Sequence, residues 1–357
     1  MSRNYRIAVI GGDGIGPEVV SEGLRVLERV AAIEGFRVEL TRYPFGAEHY
    51  LKTKEIFPEA AFSEVKQHDA ILLGAIGDPR LEVGLLEFGI IAKLRFELDL
   101  FVNLRPVKLY AEHLCPLKDT TPEQVDFVVV RENTEDAYAG MRGFFKKGTP
   151  DEVATQEIIF TRKGVERVIR YAFELARSRP RKKLTLIDKA NAVRAMDLWT
   201  RVFAEVGAEY PDVAREHNYI DAACMYVVRN PEGFDTAVTS NMFGDIFTDL
   251  SAMIQGGLGI AASGNIHPGR VSLFEPIHGS APKYTGQNVA NPIATIMAVQ
   301  MMLEYLGEKS AAARLEQAVA GLLRSKRLPS LGTDSGFGTS QIGDLVLAEL
   351  AGAEARA

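Results

Sequence analysis

The sequence predicts an α/β fold, because short apolar runs alternate with stretches of helical periodicity along most of the chain. Its 357 residues exceed the size at which one hydrophobic core usually keeps growing, so two lobes are expected. Hydrophobic residues make up 46% and charged residues 25% of the chain, which is typical of a folded globular protein. We therefore expect a two-lobed α/β protein with βαβ connections.

The predicted elements begin with a strand and alternate from there. Apolar and β-branched runs predict strands at residues 6–10, 37–42, 70–73, 127–130, 184–187 and 236–239. Apolar residues at helical spacing predict helices at residues 18–33, 162–177, 192–206 and 293–305. A further helix is predicted to begin near Ser240 or Asn241, either of which can cap it.

A glycine-rich loop at residues 11–17 joins the first strand to the first helix. A dinucleotide-binding fingerprint would read G-x-G-x-x-G, but from Gly12 the register reaches Gly14 and then Pro17. The sequence therefore argues against a standard Rossmann domain and predicts a tight strand-to-helix turn, with Pro17 at the helix start. A backbone contact to a ligand is the alternative interpretation.

Charge and cysteine content exclude several classes of function. The formal net charge of -6, without a stripe of Lys and Arg, predicts that nucleic acid is not a partner. Cys115 and Cys224 are far apart, which argues against a disulfide framework or a zinc site and favours a reducing cytoplasm. No apolar stretch is long enough to span a bilayer and no secretory signal pattern is present, so no membrane association is expected.

The helix predicted after residue 239 carries Asp245 and Asp249, four residues apart. At that spacing both carboxylates project from one face of a helix, where they repel each other or share a cation. The apolar stripe expected to anchor this helix consists of Ile246, Leu250 and Met253. A solvated acidic face is the plainer interpretation of an isolated pair of this kind.

A third carboxylate, Asp221, lies within an apolar stretch, where its burial would be unfavourable unless it were paired or bound to a metal. It could therefore supply another oxygen ligand. Three carboxylates, substrate oxygens and water would make an oxygen-rich site of the type that Mg²⁺ or Mn²⁺ prefers.

Three arginines near strand or helix ends suggest anion recognition: Arg95, Arg105 and Arg131. Arg131 directly follows an apolar strand, and ligands of open α/β sheets bind beyond the carboxyl ends of strands. Guanidinium groups match carboxylates in a bidentate way. A surface ion pair is the alternative for any one of them, but together they favour a substrate with two or three carboxylates.

Other polar residues also follow predicted strands or lie in loops. Lys189 ends a strand, where its proton affinity can be lowered so that it serves as an acid or base, although a surface lysine is the alternative. Tyr138 lies in a glycine-flanked loop. The loop at residues 274–284 contains glycine, proline and a histidine, and it could wrap a nucleotide or be only an ordered turn.

From near residue 5 to near residue 346, the chain resembles the β-decarboxylating dehydrogenases, a family that includes isopropylmalate, isocitrate, homoisocitrate and tartrate dehydrogenases. The motifs that carry the resemblance are Gly-Asp-Gly-Ile-Gly-Pro-Glu, Asn-Leu-Arg-Pro, Val-Arg-Glu-Asn-Thr-Glu, Asn-Met-Phe-Gly-Asp-Ile-x-x-Asp and Glu-Pro-Ile-His-Gly-Ser-Ala-Pro, in family order and spacing. The resemblance implies a two-lobed isocitrate/isopropylmalate dehydrogenase-like fold with parallel and mixed sheets. Residues 1–102 and 257–357 would form the cofactor-binding lobe, and residues 103–256 the lobe for substrate, metal and dimerisation.

The resemblance also implies a role for each matching residue. Tyr138 and Lys189 would be the catalytic acid/base pair, and Asp221, Asp245 and Asp249 would bind Mg²⁺ or Mn²⁺. In a homodimer with shared active sites, Lys189 and Asp221 would reach the partner's site. The substrate contacts would be Glu87, Ile90, Ile91, Arg95, Arg105, Arg131, Asn191 and Asp221. The cofactor contacts would be Glu275, His278, Gly279, Ser280, Ala281, Lys283, Ala290, Asn291 and Asp334.

Among the family's 2-hydroxy acid substrates, 3-isopropylmalate is favoured by the segment just ahead of Arg95. Leu86, Ile90 and Ile91 would offer an apolar face to the isopropyl group, whereas a third carboxylate would be unfavourable against isoleucine. The implied reaction is oxidative decarboxylation to 4-methyl-2-oxopentanoate and CO₂, in leucine biosynthesis. An extra residue before Arg95 and the Val-Arg-Glu-Asn-Thr-Glu motif keep isocitrate, homoisocitrate and tartrate as alternatives.

NAD is the expected cofactor. NADP is the alternative, because Lys283 and Tyr284 resemble the pair that holds a 2′-phosphate in some family members, and a cation there removes a repulsion that would exclude NADP. The alternative of another functional class is a catalytically silent regulatory subunit. Such a subunit should have lost metal or acid/base positions, and this sequence retains all of them.

Overall fold

The computed structural model describes residues 3–354 and has the predicted α/β architecture. Its strands are β1 (Asn4–Gly12), β2 (Arg37–Tyr43), β3 (Ala70–Ala75), β4 (Val102–Lys108), β5 (Asp126–Glu132), β6 (Arg142–Phe145), β7 (Val153–Gln156), β8 (Lys183–Asp188), β9 (Ala214–Tyr219), β10 (Thr236–Thr239), β11 (Ala262–Ile266) and β12 (Ser272–Pro276). Its α-helices are α1 (Gly16–Glu34), α2 (Ala47–Thr53), α3 (Glu59–Val65), α4 (Lys93–Glu97), α5 (Arg162–Ser178), α6 (Asp197–Gly207), α7 (Ile220–Arg229), α8 (Asn241–Ile254), α9 (Ile293–Tyr305), α10 (Lys309–Arg324) and α11 (Thr339–Glu354). A π-helical segment, Glu87–Ala92, leads directly into α4. Every helix among residues 3–354 is too short or too polar to span a lipid bilayer.

The chain divides into two compact units. The first unit contains the residues up to Leu100, the segment Leu109–Pro122 and the residues from Ala252 onward, and the second contains Phe101–Lys108 and Glu123–Ser251. The strand order in the first unit is β2-β1-β3-β12-β11, with β11 antiparallel to β12 and the other pairs parallel. In the second unit the order is β4-β5-β10-β8-β9, with β4 antiparallel to β5 and the other pairs parallel. Parallel and antiparallel pairs therefore occur in both units, as the fold prediction expects.

The predicted strands and helices are present, and most of their ends differ from prediction by only a few residues. The exception is the helix expected over residues 192–206, because α6 begins only at Asp197. Before it, the carbonyl of Lys189 accepts hydrogen bonds from the N–H groups of Ala192 and Val193, at 2.9 and 2.8 Å, and closes a turn. Lys189 is thereby held in a compact loop at the carboxyl end of β8.

The glycine-rich loop after β1 is a tight strand-to-helix turn, as predicted. Gly14 has a φ of 58°, in the left-handed region that favours glycine. The next N–H, that of Ile15, donates to the carbonyl of Ser280 at 2.9 Å. A Cβ atom on Gly14 would lie 1.9 Å from that oxygen, so only glycine fits this approach. Pro17 lies in the first turn of α1, also as predicted.

Helix α8 is anchored by a different face from the one predicted. Phe247 is fully buried, whereas Ile246 and Met253 are 54% and 52% exposed. The predicted apolar anchor of Ile246, Leu250 and Met253 is therefore wrong for this chain. The periodicity of the sequence correctly indicates an apolar stripe on α8. It does not indicate that the Phe247 face packs into the core while the stripe is largely exposed to solvent.

The turn after β5 is organised by a buried carboxylate, Glu132. One of its oxygens accepts hydrogen bonds from the backbone N–H and the hydroxyl of Thr134, at 2.8 and 2.7 Å, and the other accepts from the N–H of Glu135 at 2.8 Å. These bonds favour the charged form, but the burial of the carboxyl group outweighs them and raises its pKa to about 7. Glu132 thus fixes the start of the loop that leads to Tyr138.

We predict that Glu132→Gln removes a pH-dependent component of stability. Because the folded-state pKa is about 7 against 4.5 for the model carboxyl, the native state binds the proton more tightly than the unfolded chain. This component is fully present below the unfolded pKa and is lost as the pH rises through the folded one. The free energy of unfolding of the wild type, relative to Glu132→Gln, should fall by on the order of 2–4 kcal/mol across this window.

Urea denaturation at about pH 5 and about pH 8 measures this difference. The exposed Glu157, replaced by Gln, serves as the control and should give the same difference at both pH values. A wild-type advantage over Glu132→Gln that is independent of pH would contradict the prediction.

Candidate active site

Asp245 and Asp249 lie one turn apart on α8, and two arginines face them. Arg131 donates from Nη1 to Oδ1 of Asp245 at 2.6 Å. The guanidinium of Arg105 lies 3.2 Å from the same oxygen and 3.5 Å from Oδ1 of Asp249. The predicted acidic face is therefore not solvated on its own, because two cations neutralise it within the second unit.

Both arginines are held rigidly because they come from paired strands. Arg105 is on β4 and Arg131 on β5, and the two side chains are 6% and 2% exposed. Nε of Arg105 donates to Oδ1 of Asn103 at 2.7 Å, and Nε of Arg131 donates to Oδ1 of Asn241 at 3.0 Å. Buried guanidinium groups need such partners, since an unpaired buried charge is strongly unfavourable.

Tyr138 joins the same cluster. It lies in a short 3₁₀ turn, Asp136–Ala139, and its hydroxyl donates to Oδ2 of Asp245 at 3.3 Å. The guanidinium of Arg131 lies 5.7 Å from the centre of its ring. Burial and then the nearby Asp245 carboxylate raise the pKa of the phenol, so the hydroxyl keeps its proton at neutral pH. Tyr138 as a whole residue is 40% exposed, so a ligand can approach its side chain.

Lys189 and Asp221 form a second pair in the same unit. Nζ of Lys189 lies 2.8 Å from Oδ2 of Asp221, which is in the first turn of α7. This hydrogen bond is the main reason that the pKa of Asp221 is lowered. The sequence requires Asp221 to be paired or metal-bound if it is buried in its apolar stretch; its side chain is 68% exposed and is paired with Lys189. Asn191 is exposed in the turn after Lys189.

The chain by itself does not assemble the predicted three-carboxylate site. Among residues 3–354, no group of three or more His, Cys, Asp or Glu side chains is placed to hold a metal ion. Asp245 and Asp249 share a face, but Asp221 does not join them. Burial also raises the pKa of Asp249, with Asp245 adding to the effect while Arg105 opposes it.

Arg95 is in the first unit and pairs with Glu275. Its Nη2 donates to Oε1 of Glu275 at 2.9 Å, and the same oxygen accepts from Nδ2 of Asn265 at 2.8 Å. Glu275 is buried, and both of these donors bind its Oε1 atom. A predicted substrate residue and a predicted cofactor residue are thus in direct contact.

The predicted substrate residue Ile90 is wrong. Leu86, Ile90, Leu94 and Leu98 form a buried stripe at a spacing of four residues within the core of the first unit. Ile90 is fully buried there and cannot touch a substrate, and Leu86 is buried with it. The physical reason is the π-helical segment, whose wider turns keep this stripe in register with the core. Glu87, Ile91 and Arg95 occupy the adjacent stripe, where Glu87 is exposed and Ile91 is partly buried.

The predicted nucleotide loop borders a cavity of about 710 Å³ in the first unit. Residues 279–283 form one side, and Gly77 and Glu87 are on the other. Ser280 fixes the two sides by donating from its hydroxyl to the carbonyl of Gly77 at 2.6 Å. Four residues predicted to contact the cofactor line the cavity: Gly279, Ser280, Ala281 and Lys283.

The other predicted cofactor residues have identifiable roles near this loop. Burial lowers the pKa of the His278 imidazole, so the ring is neutral at pH 7. Nδ2 of Asn291 donates to the carbonyl of Leu331 at 3.1 Å, and Ala290 is buried. Asp334 is exposed and accepts from the hydroxyl of Ser330 at 2.7 Å. The ammonium of Lys283 lies 4.6 Å from the ring of Tyr284.

Sequence reasoning missed Asp136. We expected Ser240 or Asn241 to cap α8, but the N–H of Met242 donates to Oδ2 of Asp136 at 2.9 Å. The Asn241 side chain instead accepts from Arg131 and donates to the carbonyl of Glu135 at 3.1 Å. Asp136 lies 106 residues earlier in the chain, and no local pattern signals so distant a cap.

Comparisons with known proteins identify the family of this chain. A family model described as isocitrate/isopropylmalate dehydrogenase matches residues 6–346. A 3-isopropylmalate dehydrogenase of Thermobifida fusca is 52% identical over 346 residues, covering 96% of this chain and 97% of that protein. One of Streptomyces coelicolor is 49% identical over 355 residues, covering 99% of this chain and 100% of the relative. The crystal structure of isocitrate dehydrogenase from Methylococcus capsulatus aligns with a TM-score of 0.88 at 37% identity, covering 97% of this chain and 99% of that one. The chain therefore belongs to the isocitrate/isopropylmalate dehydrogenase family.

Proposed function

We propose that this chain catalyses the metal-dependent oxidative decarboxylation of 3-isopropylmalate to 4-methyl-2-oxopentanoate and CO₂, with NAD as the hydride acceptor, in leucine biosynthesis. The observation that carries the proposal is the convergence of Arg105, Arg131 and Tyr138 on Asp245 and its neighbour Asp249. This cluster combines carboxylate recognition, oxygen ligands and a proton donor in one place. Relatives about half identical in sequence carry the name 3-isopropylmalate dehydrogenase, which supports the choice of substrate.

The donor set fits a hard divalent cation, Mg²⁺ or Mn²⁺. Asp245 and Asp249 would hold it through carboxylate oxygens, and the third carboxylate would be Asp221 of a second copy of the chain. When bound, such a cation supplies Lewis-acid chemistry by polarising the oxygens of the hydroxy acid. The oxygen-only ligands argue against zinc, which prefers nitrogen and sulfur ligands.

Charge balance favours a dicarboxylate substrate. The positive charges of Arg105 and Arg131 match the negative charges of Asp245 and Asp249. A divalent cation and a substrate with two carboxylates add equal and opposite charges, so the site stays neutral when both bind. In the first unit, Arg95 is already balanced by Glu275. A third substrate carboxylate would leave an excess negative charge in a partly desolvated site.

Ile91 is the residue that would contact the isopropyl group. It lies on the same stripe as Glu87 and Arg95, one residue beyond the buried core stripe. Because Ile91 is only partly buried, a methyl group of the substrate can cover it and gain hydrophobic stabilisation. The apolar contact first assigned to Leu86, Ile90 and Ile91 therefore reduces to Ile91.

Lys189 and Tyr138 would move the protons. Lys189 accepts the proton of the 2-hydroxyl group, directly or through water, while the hydrogen on the same carbon leaves as hydride for the nicotinamide. Loss of CO₂ leaves an electron pair on the neighbouring carbon. Tyr138 donates its phenolic proton there, which requires that the phenol be protonated at neutral pH, and its raised pKa supports this.

NAD would occupy the cavity beside residues 279–283, with the adenosine end toward Lys283. A Cβ atom added at Gly279 would meet no other atom within 4 Å, so the backbone there is open to a nucleotide. NADP use remains the alternative, because Lys283 offers a cation where a 2′-phosphate would need one.

We also propose a homodimer with shared active sites, in the cytoplasm. Exposed apolar side chains occur on α7 and α8, with Met225 at 68% and Ile246 at 54% exposure, and on the hairpin β6–β7, with Phe145 at 64%. Exposed apolar surface of this kind is typical of an interface. The Lys189–Asp221 pair is separate from Asp245 and Asp249, which supports shared active sites. In a dimer, the Lys189–Asp221 pair of each copy would complete the active site of the other copy. Cys115 and Cys224 are both unpaired thiols, which fits a reducing compartment.

A substrate and cofactor panel tests the proposed reaction. We expect kcat/KM for 3-isopropylmalate with NAD and Mn²⁺ to exceed that for isocitrate, homoisocitrate and tartrate by at least about 100-fold, because each competitor lacks the apolar group or adds a polar one. Each acid is assayed with NAD and with NADP. A preference for any of the other three acids would refute the substrate, and equal efficiency with NADP would refute the NAD preference. Absence of turnover with all of them would favour the silent-subunit alternative.

Removal of the proposed proton carriers should lower turnover without unfolding the chain. We expect Lys189→Ala and Tyr138→Phe each to reduce kcat by about 10²- to 10⁴-fold, the usual contribution of a positioned acid or base. Lys163→Ala, at an exposed lysine of α5, is the control and should retain wild-type kcat. Circular dichroism verifies the fold of each variant. Wild-type kcat in Lys189→Ala or Tyr138→Phe would remove the role assigned to that residue.

Shared sites predict complementation between two inactive variants. If Lys189 of one copy acts in the same active site as Tyr138 of the other copy, each mixed dimer of Lys189→Ala and Tyr138→Phe contains one intact active site. After co-refolding of equal amounts, about one quarter of the wild-type sites should be restored. A mixture of Lys189→Ala and Asp221→Asn, which change two residues of the same pair, should restore none. No recovery in the first mixture would show that each chain forms its own site.

A further inference from the structure

The turn that carries Tyr138 and the helix that carries Asp245 are joined by one buried side chain. Asp136 is 2% exposed and uses both carboxylate oxygens. Oδ1 accepts from the N–H of Ala137 at 2.7 Å, within the tyrosine turn, and Oδ2 accepts from the N–H of Met242 at 2.9 Å, at the start of α8. A carboxylate at a helix start also interacts favourably with the helix dipole.

The backbone at Asp136 is held in an unusual conformation. Its φ is 72°, in the left-handed region, which aspartate and asparagine tolerate better than most residues but not without strain. The N–H of Asp136 donates to the carbonyl of Ile159 at 2.9 Å, which fixes the turn from the other side. Such a conformation persists only when surrounding contacts enforce it, and here they enforce the direction of the next side chains, including Tyr138.

A second connection runs beside the first. The amide of Asn241 donates to the carbonyl of Glu135 at 3.1 Å and accepts from Nε of Arg131 at 3.0 Å. The residues before Tyr138 are therefore tied to α8 at two consecutive helix positions. One turn further along α8 is Asp245, the acceptor of the Tyr138 hydroxyl at 3.3 Å.

We propose that Asp136 is a positioning residue for catalysis: by capping α8 from the tyrosine turn, it fixes the Tyr138 hydroxyl relative to Asp245 and hence to the reacting carbon. The inference rests on the acid role proposed above for Tyr138. Asp136 does not touch the substrate. Its effect on turnover passes entirely through the tyrosine.

A double-mutant cycle tests the proposal. Asp136→Gly keeps the left-handed backbone and removes the cap, whereas Asp136→Asn keeps the conformation and one acceptor oxygen. With 3-isopropylmalate, NAD and saturating Mn²⁺, we expect Asp136→Gly to lower kcat by about 10- to 100-fold, because small misplacement of a catalytic group has effects of this size. The KM of Asp136→Gly should change by less than about threefold, since Arg105 is held independently of Asp136. The kcat of Asp136→Asn should lie between that of Asp136→Gly and that of the wild type.

The discriminating result comes from Tyr138→Phe. In that background, Asp136→Gly should lower kcat no further, because the group it positions is absent. A merely structural role would make the two losses multiply. Ile169→Val, a truncation in the buried core of α5, is the stability-matched control and should lower the melting temperature while leaving kcat unchanged.

The inference is overturned by wild-type kcat in Asp136→Gly or by multiplicative losses in the double variant. If Asp136→Gly does not fold, Asp136→Asn carries the same cycle with the same outcomes. Failure of the proposed function gives a different result, because Tyr138→Phe alone would then keep full activity. Tyr138 would have no acid role in that case, and Asp136 would have no catalytic group to position.

Discussion

The pairing of two buried guanidinium groups with Asp245 is the interaction on which the site depends. Arg105 and Arg131 project from adjacent strands of the second unit into a region where their charges are almost completely removed from water. Removing Asp245 would take this acceptor away from two buried charges, and because the Asp245 side chain is 36% exposed, solvent would screen part of the destabilisation. Asp245 is therefore needed for the integrity of the second unit as well as for chemistry. The same requirement fixes where α8 can lie, since the helix must present Asp245 to both strands.

Helix α8 has to satisfy several constraints at once, and each falls on a different face. Phe247 packs into the core, Asp245 and Asp249 face the arginines, and Ile246 is left largely exposed. The apolar stripe of α8 is exposed to water on the single chain, and this exposure supports the proposed homodimer. A second copy of the chain would cover the stripe, and in doing so it would bring another Lys189 and Asp221 toward the carboxylates.

Much of this architecture could be predicted from local patterns. Strand and helix positions follow from periodicity, and the four-residue spacing of Asp245 and Asp249 correctly placed both on one face of a helix. The failures concern information that the local pattern does not contain. Ile90 was assigned to the substrate, but a π-helical turn directs it to the core. Asp136 was overlooked as a cap because it is distant in sequence from α8. A helical register and a long-range hydrogen bond are both set by tertiary packing, so periodicity can nominate candidate faces but cannot choose among them.

The neutral cluster also explains how one set of residues can be stable without ligands and still bind them. While Asp245 accepts hydrogen bonds from Arg131 and Tyr138, both donors are satisfied and the site needs no other anion. A divalent cation would compete with these donors for the carboxylates, and the released guanidinium groups would then need new acceptors. A substrate with two carboxylates supplies them, so cation and substrate each offset the electrostatic penalty that the other would create alone. In the proposed site, binding of the cation and binding of the substrate would therefore be coupled through Arg105 and Arg131. In the proposed site, a cation bound to Asp245 would release the Tyr138 hydroxyl from that carboxylate. Asp136 would then keep the turn that carries Tyr138 in place.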